Sequence, residues 1–267
     1  MTKKMEKKYI PLAEFFNNTT QPEITLSYEA IENIMGQELP NAAYLNSSWW
    51  KKTKPPLSHY LSWVNAGYNV IDVKLGRSVT FSQLSAKKSD DDTEGMCSKP
   101  TYIIRPIESD EARAFINLQE LVNKESDLEY YGEKEQNLTV QQVRKNLLEW
   151  RKLKNRTILL CIVNGIYAGY AVIKGNRSPR TNHVASLRIG VIASQQCLGI
   201  GSALLTHAEQ WAMGHHIERI ESCILVHNEA AIALFQKHGY SLDGTREGSV
   251  KIGNMTFNEN YYSKRLV

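Results

Sequence analysis

Residues 85–100 read Ser-Ala-Lys-Lys-Ser-Asp-Asp-Asp-Thr-Glu-Gly-Met-Cys-Ser-Lys-Pro, and this run decides the organisation of the chain before any helix or strand is assigned. Charged, small and turn-forming side chains without apolar periodicity cannot bury a core, so the run reads as a linker. At roughly 150 residues per domain, 267 residues allow about two domains. The expected division is a small domain over 1–84, a polar linker over 85–100 and a larger domain over 101–267. Neither side carries an internal repeat.

Composition narrows the class. A hydrophobic content of 42% and a charged content of 22% are ordinary for a soluble globular protein. The 32 Lys and Arg against 28 Asp and Glu leave a net charge of +4, which permits an anionic ligand but is far from the concentrated charge of a dedicated nucleic-acid binder. The first ten residues are charged with no apolar run behind them, so they do not read as a secretory signal. The longest apolar stretch, 157–173, is broken by Asn164, Gly165 and Gly169 and is too short to span a bilayer. Cys97, Cys161, Cys197 and Cys223 are scattered, with no CxxC and no His at ligand spacing. Free thiols in a cytoplasmic protein without a metal are the expectation, and no membrane partner is expected.

Before the linker, Leu26, Ala30, Ile31, Ile34 and Met35 recur at helical spacing, which predicts one amphipathic helix over 24–36 with Ser27 as N-cap and Gly36 as its stop. A second helix is expected over 59–67, and two short strands over 70–75 and 78–81, together a small α+β domain. Trp49-Trp50-Lys51-Lys52-x-Lys54 interleaves rings and cations, a pattern able to stack on and neutralise a nucleic acid. In so small a domain the same aromatics, with Tyr60, Trp63 and Tyr68, also serve as the core.

After the linker the pattern predicts a strand over 102–107, helices over 110–122 and 139–152, and a hairpin of 157–163 and 167–174 around Asn164-Gly165. A strand over 184–192, a helix over 200–213, a strand over 219–226 and a helix over 228–237 follow. Strands over 241–250 and 255–264 close the chain. Antiparallel strands, then strand–helix–strand–helix, then antiparallel strands again make a mixed α/β sheet.

Within this order Gln196-Cys-Leu-Gly199-Ile-Gly201 falls where a strand ends and an amphipathic helix begins. Amides at a helix N-terminus have no intrahelical partners, and the helix dipole adds positive potential, so the place suits a phosphate or pyrophosphate. The spacing is neither GxGxxG nor a Walker loop. Read alone, the glycines fit an ordinary turn into a helix better than an anion site.

Gln196-x-x-Gly199-x-Gly201 resembles the Q/R-x-x-G-x-G/A pyrophosphate loop of the GNAT superfamily of acyl-CoA N-acyltransferases. Asn228-x-x-Ala231-x-x-Leu234-Phe235-x-Lys237-x-Gly239-Tyr240 is similar to that superfamily's N-x-x-A-x-x-L-Y-x-K-x-G-F segment, in the same order. The end of the chain, from Gly244-Thr-Arg246 through Asn258 to Leu266, is similar to the closing hairpin of the branch holding ribosomal-protein and amino-acid acetyltransferases. The resemblance covers 101–267. It implies a mostly antiparallel sheet whose central parallel strands splay apart, flanked by helices, with the small α+β domain appended. The segment 24–81 resembles a small Trp-Trp module of unknown role found in bacterial proteins.

The resemblance also implies roles. Acetyl-CoA, as co-substrate and with no metal, would lie in the gap between the 184–192 and 219–226 strands. Ile189 and Val191 would hydrogen-bond its pantetheine arm, and the Val191 N–H would polarise the thioester carbonyl. The amides of Leu198, Gly199, Ile200, Gly201 and Ser202 would hold the pyrophosphate, with Gln196 a weaker partner than the Arg often found there. Asn228 would contact pantetheine or cap its helix, and Lys237 would reach a phosphate or stand in solvent. Phe235 replaces a Tyr whose hydroxyl protonates the departing thiolate in the family. His183 is the first candidate for the base, with Glu221 and His227 as others. Glu125, Asp127, Glu129, Tyr130 and Tyr131 would border a cationic acceptor.

The expected activity is that of a bacterial-type N-acetyltransferase acting on a small amine, an amino acid or a protein amine, possible as a homodimer. Two rivals stand beside it. One is a toxin-like or regulatory transferase that finds RNA, ribosomal components or a protein partner through its N-terminal domain. The other is an acyl-CoA sensor in which Phe235 marks lost catalysis.

Overall fold

The computed structural model describes residues 5–51, 58–83, 101–126 and 138–266. They form two compact units, one of 1–105 with 162–167, the other of 106–161 with 168–267.

The first unit opens with α1 (Ile10–Asn18), a helix with Pro in its first turn that buries Leu12, Phe15 and Phe16 and that the sequence reading did not identify. Residues 24–27 depart from expectation. They belong to β1 (Glu23–Ser27), a strand rather than the start of a helix, because Ile24 and Leu26 alternate inward against Phe81 and Val79. The helix, α2 (Tyr28–Met35), begins only after Ser27, whose Oγ accepts the Ala30 N–H at 3.0 Å, and it ends on Gly36 at φ 74°. Then come α3 (Asn41–Leu45) and α4 (Leu61–Val64), the latter shorter than the helix expected over 59–67. β2 (Tyr68–Lys74) and β3 (Ser78–Gln83) complete a three-stranded antiparallel sheet in the order β1-β3-β2.

Aromatic rings fill this unit. Trp50, Trp63, Tyr68 and Phe81 are fully buried, and Trp50 Nε1 donates to the Ala43 carbonyl at 3.0 Å. Trp49 is half-buried and lies parallel to the His59 ring at 3.8 Å between centroids. The core role of these aromatics is therefore realised for Trp50 and Trp63. Lys52 and Lys54 lie outside the described residues.

The larger sheet has seven strands in the order β4-β5-β6-β7-β8-β10-β9. They are β4 (Tyr102–Pro106), β5 (Arg156–Val163), β6 (Ile166–Gly175), β7 (Val184–Val191), β8 (Arg219–Leu225), β9 (Ser241–Ile252) and β10 (Met255–Arg265). The β5–β6 turn has Asn164 at φ 49° and Gly165 at φ 85°, as a type I′ turn requires. Its helices are α5 (Ala112–Glu125), α6 (Val140–Leu153), α7 (Ile200–Met213) and α8 (Glu229–Lys237). Thr139 and Gln142 form a capping box that starts α6. Successive residues of β6 show that helices cover both faces. The Tyr170 ring meets Phe115 of α5 at 5.5 Å, while a Cβ on Gly169 would stand 3.1 Å from Leu204 of α7. The sheet is antiparallel where β6 meets β7 and β8 meets β10, and parallel where β7 meets β8.

Candidate functional site

The parallel ladder between β7 and β8 is short. It pairs Val184 with Arg219, Ala185 with Ile220 and Ser186 with Glu221, and then stops. One step on, Ser222 Oγ donates to the Leu187 carbonyl at 3.0 Å. Beyond that tie the strands part. Ile192 N–H donates to Ala168 O at 3.0 Å, so the even-numbered residues of β7 bond to β6. Alternation then turns the peptide groups of Leu187, Ile189 and Val191 towards the gap. A cleft of about 70 Å³ occupies it, walled by Ile189, Ser222, Ile224, Asn228, Phe235 and Glu259 among others.

The loop from β7 into α7 closes one end. Gln196 Nε2 donates to the Val191 carbonyl at 3.0 Å, folding the loop back on the strand. Cys197 at φ 61° and Gly199 at φ 83° are both left-handed, a backbone alternation of the kind that gathers N–H groups around an anion. A Cβ on Gly199 would meet nothing within 4 Å, so this glycine answers a dihedral need, not crowding. Gly201 differs, because its Cβ would approach Leu234 Cδ2 of α8 at 3.2 Å, a close contact with the flexible end of a side chain. Ile200 is buried, Ser202 is half-buried and Leu198 is exposed. The first amides of α7, at Ile200, Gly201 and Ser202, have no intrahelical acceptor.

Asn228 serves two surfaces. Its Oδ1 accepts the Ala231 N–H at 3.0 Å, capping α8, and the residue also lines the cleft. Phe235 is buried with its ring edge-on to Tyr240 at 4.8 Å. Burial, with the Glu209 carboxylate close by, holds the Tyr240 phenol far above its ordinary range. Lys237 is exposed in the last turn of α8, where its charge complements the helix dipole.

Other candidates sit elsewhere. His183 precedes β7 at the end where the strands remain paired, its carbonyl accepting the N–H groups of Glu218 and Arg219. Six residues of strand, about 20 Å, separate it from Ile189, so the structure does not bring it to the cleft. Glu221 is in an ion pair with Arg219 at 2.8 Å, and His227 stands edge-on to Phe257 at 5.6 Å. Glu125 accepts the Ala193 N–H at 2.7 Å. Asp127, Glu129, Tyr130 and Tyr131 lie outside the described residues.

Two features were missed in the sequence. Glu259, only 3% exposed, lines the cleft from β10, where nothing in the polar run Asn258-Glu259-Asn260 marks it as inward-facing. A second cavity of about 270 Å³ lies on the face covered by α5 and α6, lined by Phe115, Gln119, Trp150, Lys174 and Arg188 among others. Burial first, then the charges of Arg188 and Arg156, pulls the Lys174 pKa down. Arg188 borders both cavities. Among the described residues no group of three His, Cys, Asp or Glu is placed to hold a metal ion, and no helix is long and apolar enough to cross a membrane.

Comparison with known proteins adds the following. Residues 118–240 match the Acetyltransferase (GNAT) family, and residues 9–85 match a domain of unknown function (DUF7662). The L-amino acid N-acetyltransferase AaaT of Escherichia coli (strain K12) is 28% identical over 112 residues, 40% of this chain and 67% of that protein. The crystal structure of a GNAT-family acetyltransferase from Streptococcus pneumoniae superposes with a TM-score of 0.59 at 27% identity, covering 61% of this chain and 98% of that one. The structure of yncA from Salmonella typhimurium, which holds its cofactor acetyl-CoA, has the same fold at 16% identity, with a TM-score of 0.56 over 62% of this chain and 94% of that one.

Proposed function

Because residues 118–240 match the acetyltransferase (GNAT) family, we propose that the chain moves an acetyl group from acetyl-CoA to a primary amine by direct attack in a ternary complex. The observation that carries the reading is the gap that opens past Ser222 and Leu187, with the Ile189 and Val191 peptide edges on one side and the α7 N-terminus at its end. The fit to acetyl-CoA is chemical. Amides of a strand suit the amides of a pantetheine arm, and the left-handed turns at Cys197 and Gly199 with the amides from Leu198 to Ser202 suit a pyrophosphate.

In this reading the Val191 N–H donates to the thioester oxygen as negative charge builds there, the role of an oxyanion-hole donor. Asn228 holds the arm while capping its helix. Phe235 has no proton to give, so the thiolate departs unaided or takes its proton from water. The acceptor is a small amine, an amino acid or a protein amine. The similarity to an L-amino acid acetyltransferase favours the amino acid. The first domain brings a protein or nucleic-acid partner to the transferase, which tethering would favour through effective concentration.

The test titrates acetyl-CoA into wild type and Leu198→Glu by calorimetry and follows thiol release against a panel of amines. Leu198 is exposed, so the new carboxylate adds charge at the loop without disturbing the core. Binding by wild type, at least tenfold weaker binding by the variant and thiol release with one amine class support the transferase. Phe235 favours one second reading, an acyl-CoA sensor, and tight binding without turnover across the whole panel would establish it instead.

A further inference from the structure

We propose that Glu259 is the general base of the acetyl transfer, removing the first proton from the acceptor's ammonium group; the proposal rests on the transferase reading above. Glu259 stands on β10 opposite Leu225, the last residue of β8, in the part of the gap beyond the Ser222–Leu187 tie. Its cleft is the one lined by Ile189, Asn228 and Phe235, where the thioester would lie.

The environment of this carboxylate is unusual for a structural one. It is 3% exposed, yet its contacts are loose. The exposed Arg246 guanidinium is 3.7 Å from Oε2, and the Ser249 hydroxyl donates to the same oxygen at 3.3 Å. Arg246 Nη1 is better placed on the Tyr261 hydroxyl, to which it donates at 2.8 Å. Burying a carboxylate costs free energy unless close partners repay it, and an apolar residue of similar size commonly does better. A loosely held buried carboxylate at a cleft wall has the access and the unspent lone pairs that proton abstraction needs. The other charged or titratable groups around it are Cys223 and Glu221 on β8 and Arg188 on β7, with Arg246 and Tyr261 on its own hairpin.

The step balances as follows. Glu259 takes one proton from R–NH3⁺, and the freed lone pair forms the N–C bond to the thioester carbon. The C–S bond breaks as the tetrahedral intermediate collapses, the second proton lost by nitrogen passes to water, the CoA thiolate takes its proton from water, and Glu259 returns its proton to solvent.

The experiment compares wild type, Glu259→Gln, Glu259→Asp and Glu259→Ala with the amine that supports thiol release. General bases contribute roughly 10²–10⁴-fold, so Glu259→Gln should lose at least about a hundredfold in kcat/KM. It should keep its acetyl-CoA Kd within about threefold and lose the acid limb of the pH profile, which in wild type falls as the carboxylate protonates. Glu259→Asp should recover part of the rate, and added formate should raise the rate of Glu259→Ala. A Glu259→Gln enzyme that keeps the wild-type rate and acid limb overturns the proposal. So does a variant whose acetyl-CoA affinity falls in step with its activity, since the carboxylate would then be structural. If wild type itself turns over no amine, the transferase reading has failed and this role fails with it. Turnover by wild type with an indifferent Glu259→Gln removes only the base.

Discussion

Ser222 Oγ lies 3.0 Å from the carbonyl oxygen of Leu187, and this hydrogen bond is the last tie between β7 and β8 before the two strands diverge. Both residues are buried, so Ser222→Ala strands the Leu187 carbonyl without a nearby donor. The expected loss is about 1–3 kcal/mol, read as a lower denaturant midpoint. Acetyl-CoA affinity should weaken with it, because the tie sets where the gap begins.

The two loop glycines should respond in opposite ways. Gly199→Ala forces a side chain into a left-handed dihedral and should destabilise by about 1 kcal/mol although there is room for the methyl. Gly201→Ala places its methyl 3.2 Å from the flexible end of Leu234 and gains up to about 1 kcal/mol of helix propensity. Its thermal midpoint should stay level or rise, and differential scanning calorimetry of the two variants decides the comparison.

Asn228 permits its two roles to be separated. Asn228→Ala removes the cap on the Ala231 N–H and should cost about 1 kcal/mol, whereas Asn228→Ser keeps a capping oxygen. If Asn228 also touches the co-substrate, the Ser variant should retain its stability and still bind acetyl-CoA more weakly. Calorimetry on the same preparation reads both.

The first unit should lose stability in mild acid. Desolvation lowers the His59 pKa below its ordinary 6.5, outweighing the Trp49 carbonyl that accepts from Nε2 at 2.8 Å. A depressed folded value means the unfolded chain binds the proton first. The His59 contribution is therefore complete above about pH 6.5 and drains away as pH falls below it. The denaturant midpoint followed by Trp fluorescence should drop between pH 7.5 and 5.5, and His59→Gln should flatten that drop.

Legibility followed the range of the interactions. Ser27 and Gly36 were readable as cap and stop because both act on their own backbone. The extended state of residues 24–27 was not, since Leu26 and Ala30 also fit helical spacing and only pairing with Phe81 and Val79 decides for a strand. Asn164-Gly165 announced its hairpin through φ values that few other pairs accept. The glycines of the loop looked equivalent in sequence, but Gly199 answers a left-handed dihedral whereas Gly201 faces a leucine on another helix. Glu259 was invisible for the same reason. Its place at the cleft follows from the pairing of β10 with β8, its neighbour in the sheet and not in the chain.

Among the described residues, the ladder of β7 and β8 runs over three residue pairs and ends on one serine hydroxyl, so the two halves of the seven-stranded sheet share a seam far shorter than either strand. A pantetheine arm seated there would act as a removable thread that completes the weave. Cohesion of the sheet and occupancy of the gap would then be a single equilibrium, worth about 2.7 kcal/mol when the co-substrate stands at a hundred times its Kd. The fold would be firmest when acetyl-CoA is abundant, and slackest along this seam when it is scarce.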